Sequence, residues 1–253
     1  MAASGDRSPR GGNLAVPGKP LTGKVSLITG ASRGIGLALA QALGRLGSQL
    51  ALCARDQKRL SEAAAGLESS GFPVLAVPTD VTRPDELAAL VKRTEASLGP
   101  IDILINNAGI GYFAPVQDTT EASWDAVFDT NLKAVFLLCR LVVPGMVRRQ
   151  TGHIVNIASL AGKSAFAGGA TYCASKWGLL GFTQSMAEDL RPFGIRVSAV
   201  CPGTVATEFS PHSGKAVEKM LQPDDVAHAV EMILTEAPQS FISEVVLRPT
   251  QKP

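Results

Sequence analysis

The sequence predicts an α/β domain of the doubly wound kind, a seven-stranded parallel sheet with helices on both faces. Two observations carry this. From Lys24 onward, short runs rich in Val, Ile and Leu alternate with longer stretches of helical periodicity, the pattern of repeated strand–helix–strand units around a sheet buried on both sides. The chain also holds 25 glycines with only 5% aromatic residues, a mix that suits close-packed elements joined by tight turns.

In chain order, the apolar runs place strands at Val25–Thr29, Gln49–Ala54, Val74–Pro78, Ile103–Ile105, His153–Ala158, Arg196–Val200 and Ile242–Leu247. Between them, periodicity places helices at Gly34–Leu46, Gln57–Ser69, Pro84–Leu98, Glu121–Arg149, Thr171–Arg191 and Pro223–Thr235. A chain of 253 residues permits one domain or two. The alternation runs without a linker or an internal repeat, which favours a single domain over residues 21–253. Residues 1–20 are rich in Gly, Pro, Ser and Arg and lack the apolar core of a secretion signal, so they read as a disordered arm. The fourth and fifth helices are apolar on more than one side. Such helices bury the surplus against the sheet or against another subunit, which predicts a homo-oligomer, dimer or tetramer.

Composition narrows the function. Lys and Arg total 24 against 22 Asp and Glu, a net charge of +2 with basic residues scattered, so neither nucleic acid nor an anionic membrane is expected as partner. Cys53, Cys139, Cys173 and Cys201 lie far apart without a CxxC pair, and neither a disulfide framework nor a metal site is expected. The most apolar stretch, 135–143, is interrupted by Arg140 and followed by Pro144, short of a membrane span. A cytoplasmic protein is expected.

Directly after the first strand stands Thr29-Gly30-Ala31-Ser32-Arg33-Gly34-Ile35-Gly36, and helical periodicity begins within it. Glycines let such a chain turn sharply, bring backbone amides close to a pyrophosphate and aim the positive end of a helix at it. A plain strand-to-helix turn has similar composition, so the loop alone is weak. The second strand ends Cys53-Ala54-Arg55-Asp56. A carboxylate at that end suits the ribose 2′-hydroxyl of NAD, whereas arginine suits a 2′-phosphate. Ala54 and Arg55, with Arg33 in the glycine loop, therefore predict NADP(H), although Arg55 alone also reads as a solvated residue at a helix start. Asp56 reads as a helix cap.

Further along, Ser159 follows the fifth strand, and Tyr172 and Lys176 are four positions apart on a helical segment. That spacing stacks both on one helical face, and an ammonium beside a phenol stabilises the phenolate, which predicts a tyrosine pKa below about 10. Taken singly, the tyrosine reads as a half-buried helix residue, the lysine as a surface charge and the serine as a turn residue.

In order, Thr29–Gly36, Asp80-Val81, Asn106-Asn107-Ala108-Gly109, Asn131, Ser159, Tyr172-x-x-x-Lys176 and Pro202-Gly203 make the sequence resemble the short-chain dehydrogenase/reductase family over residues 21–247. The resemblance implies a Rossmann-type fold and hydride transfer between NADP(H) and a carbonyl or secondary alcohol. It implies that Gly30, Ser32, Arg33, Gly34, Ile35, Gly36 and Arg55 hold the phosphates, and that Asp80 and Val81 contact the adenine. Asn107, Ala108 and Gly109 would lie beside the cofactor. Pro202, Gly203, Val205 and Thr207 would border the nicotinamide. Lys176 would bind its ribose, Asn131 would hold a water, and Ser159 and Tyr172 would act on the substrate oxygen.

The nearest subgroup by motif is the 3-oxoacyl-acyl-carrier-protein reductases. Gln150 and Phe193 stand where that subgroup places carrier-docking arginines, though Arg148, Arg149 and Arg191 are close by, and the chain ends Glu244–Pro253 without a Gly-Gly pair. That ending looks more like the reductases and dehydrogenases acting on free 3-hydroxy acids and similar small alcohols, so a ketone or a 3-oxo or 3-hydroxy acid is the expected type of substrate. The loops Ala161–Gly169 and Thr204–Leu221, which mix Phe166, Phe209, Pro211, His212 and Gly214, are expected to border the substrate and to form a mobile lid over a mostly apolar pocket. A non-catalytic NADP(H) sensor is the alternative of another class.

Overall fold

The computed structural model describes residues 18–209 and 216–253. The seven apolar runs form strands β1 (Val25–Thr29), β2 (Gln49–Ala54), β3 (Val74–Pro78), β4 (Ile103–Asn106), β5 (Gly152–Ile157), β6 (Ile195–Pro202) and β7 (Glu244–Leu247). They make one parallel sheet in the order β3-β2-β1-β4-β5-β6-β7. β1 and β4 are wholly buried, while β3 and β7 are mostly half-buried because each has a neighbour on one side only.

The helices are α1 (Gly34–Arg45), α2 (Gln57–Ser69), α3 (Pro84–Ser97), α4 (Glu121–Phe128), α5 (Ala134–Arg149), α6 (Ala170–Leu190) and α7 (Pro223–Leu234). Successive strand residues face opposite sides of the sheet, and the two sides carry separate cores. Leu27, Leu104 and Ile154 join Leu90 of α3, Leu138 of α5 and Leu179 of α6. Ile28, Ile105 and Val155 join Leu39 and Leu43 of α1, Leu60 of α2 and Val230 of α7. The doubly wound prediction is thus met.

Element boundaries agree to within two residues, with one change of kind. The single helix expected over Glu121–Arg149 is interrupted by a π-turn at Asp129–Lys133, which separates α4 from α5. Helical periodicity cannot distinguish one inserted residue from none, and such turns gather at functional positions. β7 begins at Glu244 rather than Ile242, because its ladder with β6 starts at Ala199↔Glu244. Residues 1–17 of the expected arm, and 210–215 of the expected lid, lie outside the described residues. Among the described residues no helix is long and apolar enough to cross a membrane.

Candidate active site

In this strand order the chain leaves β1 toward one side and β4 toward the other, and a crevice opens beyond the carboxyl ends of the strands between them. There the structure has a cleft of about 1370 Å³. Its floor is the turn from β1 to α1. Gly30 has φ +66° and Gly36 lies against it, so a Cβ on Gly36 would overlap the Gly30 carbonyl oxygen and stand 2.6 Å from Asn107 Nδ2. Asn107 fixes the turn from β4: its Nδ2 donates to the carbonyls of Thr29 (2.9 Å) and Gly30 (3.2 Å), and its backbone N donates to Thr29 Oγ1 (3.0 Å). The loop therefore presents bare backbone at the start of a twelve-residue helix, a cradle that fits a pyrophosphate.

Of the residues expected to hold the cofactor, Gly30, Ser32, Arg33, Gly34, Ile35, Gly36, Arg55, Val81, Asn107, Ala108 and Gly109 line the cleft. So do Pro202, Gly203, Val205 and Thr207 at the end of β6, with Ser159, Tyr172 and Lys176. Asp80 does not line it. Its carboxylate accepts from the N and Oγ1 of Thr82 (3.0 and 2.8 Å), closing the turn after β3. Asn131 does not line it either. The π-turn aims its side chain at the loop after β4, where Oδ1 accepts from Ile110 N (2.8 Å) and Nδ2 donates to Ile110 O (2.9 Å) and Ser175 Oγ (3.1 Å).

Ser159 follows β5, its Oγ accepting from Ala161 N (3.1 Å). Tyr172 and Lys176 share one face of α6, with Lys176 Nζ 5.8 Å from the tyrosine ring centroid. Nζ also donates to Ile157 O at the end of β5 (3.0 Å). Both side chains are buried, at 8% and 4% exposure. The expected depressed phenol is not found: burial pushes Tyr172 up to about 12, Ser159 pulls it down, and Cys173 adds to the rise. Burial likewise lowers Lys176 to about 8, with Cys201 opposing. Helical spacing correctly aligns the pair, but burial decides the direction of the phenol's shift, and the opposing pull comes from Ser159.

Sequence reasoning missed Arg59, Glu208 and Phe113, while Phe209 belongs to the expected lid. Arg59, one helical turn beyond Arg55 on α2, lines the cleft beside Arg33, a neighbour that i,i+4 spacing could have revealed. Glu208, next to Thr207, accepts from Arg33 and, at 3.1 Å, from Arg59. Phe113, from the loop after β4, stands edge-on to Tyr172 with centroids 5.4 Å apart, while Phe209 lies 5.8 Å away. Asp56 caps α2 as expected, accepting from Arg59 N at 3.0 Å.

The sequence model of the family described as short chain dehydrogenase matches residues 24–218. Ketoacyl reductase HetN of Nostoc sp. is 40% identical over 214 residues, covering 83% of this chain and 75% of that protein. Glycine betaine reductase ATRR of Emericella nidulans is 36% identical over 248 residues, which are 94% of this chain but only 20% of that protein. Among solved structures, a metagenomic short-chain oxidoreductase in complex with NADP is 44% identical and superposes with a TM-score of 0.82 over 92% of this chain and 99% of that one. The chain belongs to the short-chain dehydrogenase family.

Proposed function

We propose that this chain is an NADP(H)-dependent oxidoreductase interconverting an apolar ketone and its secondary alcohol, with Tyr172 as the proton-transfer group. The observation that carries the reading is the common cleft: the glycine cradle, Arg33, Arg55 and Arg59 at one end, and Ser159, Tyr172 and Lys176 at the other. The similarity to an NADP complex supports the choice of dinucleotide. Bound here, that dinucleotide supplies or accepts the hydride.

The protein's own groups handle the oxygen and its proton. Ser159 and Tyr172 donate hydrogen bonds to the carbonyl oxygen, and Tyr172 gives up its phenolic proton as that oxygen gains charge. A phenol held near 12 stays loaded with that proton at neutral pH. Lys176, lowered to about 8, exchanges protons readily near neutral pH and returns one to Tyr172. The Asn131 side chain bonds Ile110 and Ser175 and does not line the cleft, so it is assigned the positioning of the loop after β4 and of α6 rather than a water. In the oxidative direction Tyr172 takes the alcohol's proton after passing its own to the Lys176 side of the relay.

Phe113 and Phe209 flank the Tyr172 ring and Phe166 packs on Phe113; all three line the cleft and are 41%, 41% and 49% exposed. Exposed aromatic surface beside a reacting group favours an apolar substituent on the carbonyl. Arg248 also lines the cleft and provides for a 3-oxo acid's carboxylate.

A second reading, 3-oxoacyl-carrier reduction, is favoured by the likeness to a ketoacyl reductase. Against it, Gln150 and Phe193 stand at the expected docking positions, and two of the three arginines close by are engaged, Arg149 donating to Ile101 O (2.7 Å) and Arg191 pairing with Glu188 (3.1 Å). An NADPH-oxidation screen across carrier thioesters, 3-oxo acids, diketones and aryl ketones decides between them. Tyr172→Phe is expected to lower turnover at least about 100-fold with NADPH affinity unchanged. Near-normal turnover in that variant removes the mechanism, and binding without turnover of any ketone leaves only a sensor.

A further inference from the structure

The loop after β6 crosses the cleft and lands on the arginines. Thr207 packs over the glycine turn, its Cγ2 lying 3.3 Å from where a Cβ on Gly34 would stand. The next residue, Glu208, places one carboxylate oxygen against both Arg33 Nη1 and Arg59 Nη1. The residue after that, Phe209, rests on Tyr172 with ring centroids 5.8 Å apart. A short run of chain thus touches the phosphate cradle, the cationic end and the proton donor together.

Two guanidinium groups converging on one anionic oxygen make a site for a phosphate monoester, which carries roughly −1.5 to −2 charge against −1 for a carboxylate. We propose that Glu208 is a specificity-determining residue for the cofactor: it occupies the Arg33–Arg59 pair in place of a 2′-phosphate and straps 204–209 across the cleft until a 2′-phosphorylated nucleotide displaces it. The inference rests on the NADP(H) reading above and adds Arg59 and Glu208 to it.

The electrostatics agree in sign. The hydrogen bond from Arg59 and the charge of Arg33 hold the Glu208 carboxyl below its ordinary range, and Glu208 raises Arg59 in return. All three side chains are well exposed, at 53%, 47% and 64% for Arg33, Arg59 and Glu208. Exposed ion pairs are weak, so the strap yields to a doubly charged competitor. NADH lacks that phosphate and does not need the arginine pair, so the carboxylate's occupation of the pair weighs on NADPH alone and sets how strongly the 2′-phosphate is rewarded. Because Phe209 follows Glu208 directly, release of the carboxylate also frees the ring that leans on Tyr172, and cofactor arrival prepares the substrate side.

The test is direct binding of NADPH and NADH to the full chain by calorimetry, for the wild type, Glu208→Gln, Arg59→Gln and the double variant. Glu208→Gln is expected to tighten NADPH roughly threefold to tenfold and leave NADH unchanged. In the Arg59→Gln background, which itself weakens NADPH, the gain from Glu208→Gln should shrink. If the wild type prefers NADPH but Glu208→Gln changes neither affinity, or tightens both equally, the strap is overturned and the cofactor reading stands. A wild type that binds NADH as tightly as NADPH overturns both.

Discussion

Tyr172 and Lys176 both lose their water on folding, and the consequence is opposite for an acid that starts neutral and one that starts charged. The phenol is held protonated and the ammonium is loosened to about 8. For ketone reduction the proton must be available when hydride arrives, so the relevant titration at working pH belongs to the lysine. Below about 8 Lys176 carries its proton and the relay is full; above it the relay empties. We expect turnover in the reductive direction to fall as pH rises through about 8. Lys176→Met should lack that limb and be slower by at least about tenfold at pH 7. A wild-type profile flat from pH 6 to pH 10 removes Lys176 from the proton path. Residue types and spacing made this pair legible in the sequence. The sense of the phenol's displacement was not, because it depends on burial by Phe113 and Phe209, which approach from loops far away in the chain.

At the level of elements, the legible parts were those fixed by short-range chemistry. The β1–α1 turn announces itself through its glycines, and the structure gives the reason: at Gly36 any side chain would collide with the Gly30 carbonyl and with Asn107. Gly66 makes the useful contrast, since it is exposed on α2 with nothing within 4 Å of an added Cβ. Gly36→Ala is expected to destabilise by about 1–3 kcal/mol through overpacking and to weaken NADPH binding. Gly66→Ala should stabilise by about 0.5–1 kcal/mol through helix propensity. Denaturant unfolding of the two variants reads both signs, and equal effects would mean that crowding in the cradle is immaterial. What stayed hidden was the π-turn at Asp129–Lys133. Its cause is tertiary, the bonding of Asn131 to Ile110 and Ser175, and no local pattern reports it. The Glu208 bridge to α2 and the glycine loop was hidden for the same reason, its partners lying 175 and 149 residues away.

On the scale of the whole molecule, the sheet consumes the apolar faces of α1, α2 and α7 but leaves the α4–α6 side unfinished. Trp124, Phe136 and Trp177 are 42%, 45% and 53% exposed. Phe128, Leu132, Phe136, Gly178 and Phe182 line a shallow groove between α5 and α6, with Phe136 edge-on to Phe182 at 6.3 Å. Gly178 leaves room there for the Leu132 side chain, whose Cδ2 lies 3.0 Å from where a Cβ would stand, and Asp129 and Lys133 form an ion pair at the rim (3.0 Å), the layout of an apolar centre with a polar border. A second copy of the chain is the proposed occupant, because a face built from two long helices can pack against its own image about a twofold axis. Light scattering at micromolar concentration should give a dimer or tetramer. Phe136→Glu, which sets a carboxylate in the middle of the groove at a position already exposed in the single chain, should yield a folded monomer with unchanged helical circular dichroism, since burying that unpaired charge costs several kcal/mol and leaving it in water costs the fold little. A wild type that scatters as a monomer, or a Phe136→Glu variant that keeps the full assembly mass, would place the subunit contact elsewhere or abolish it.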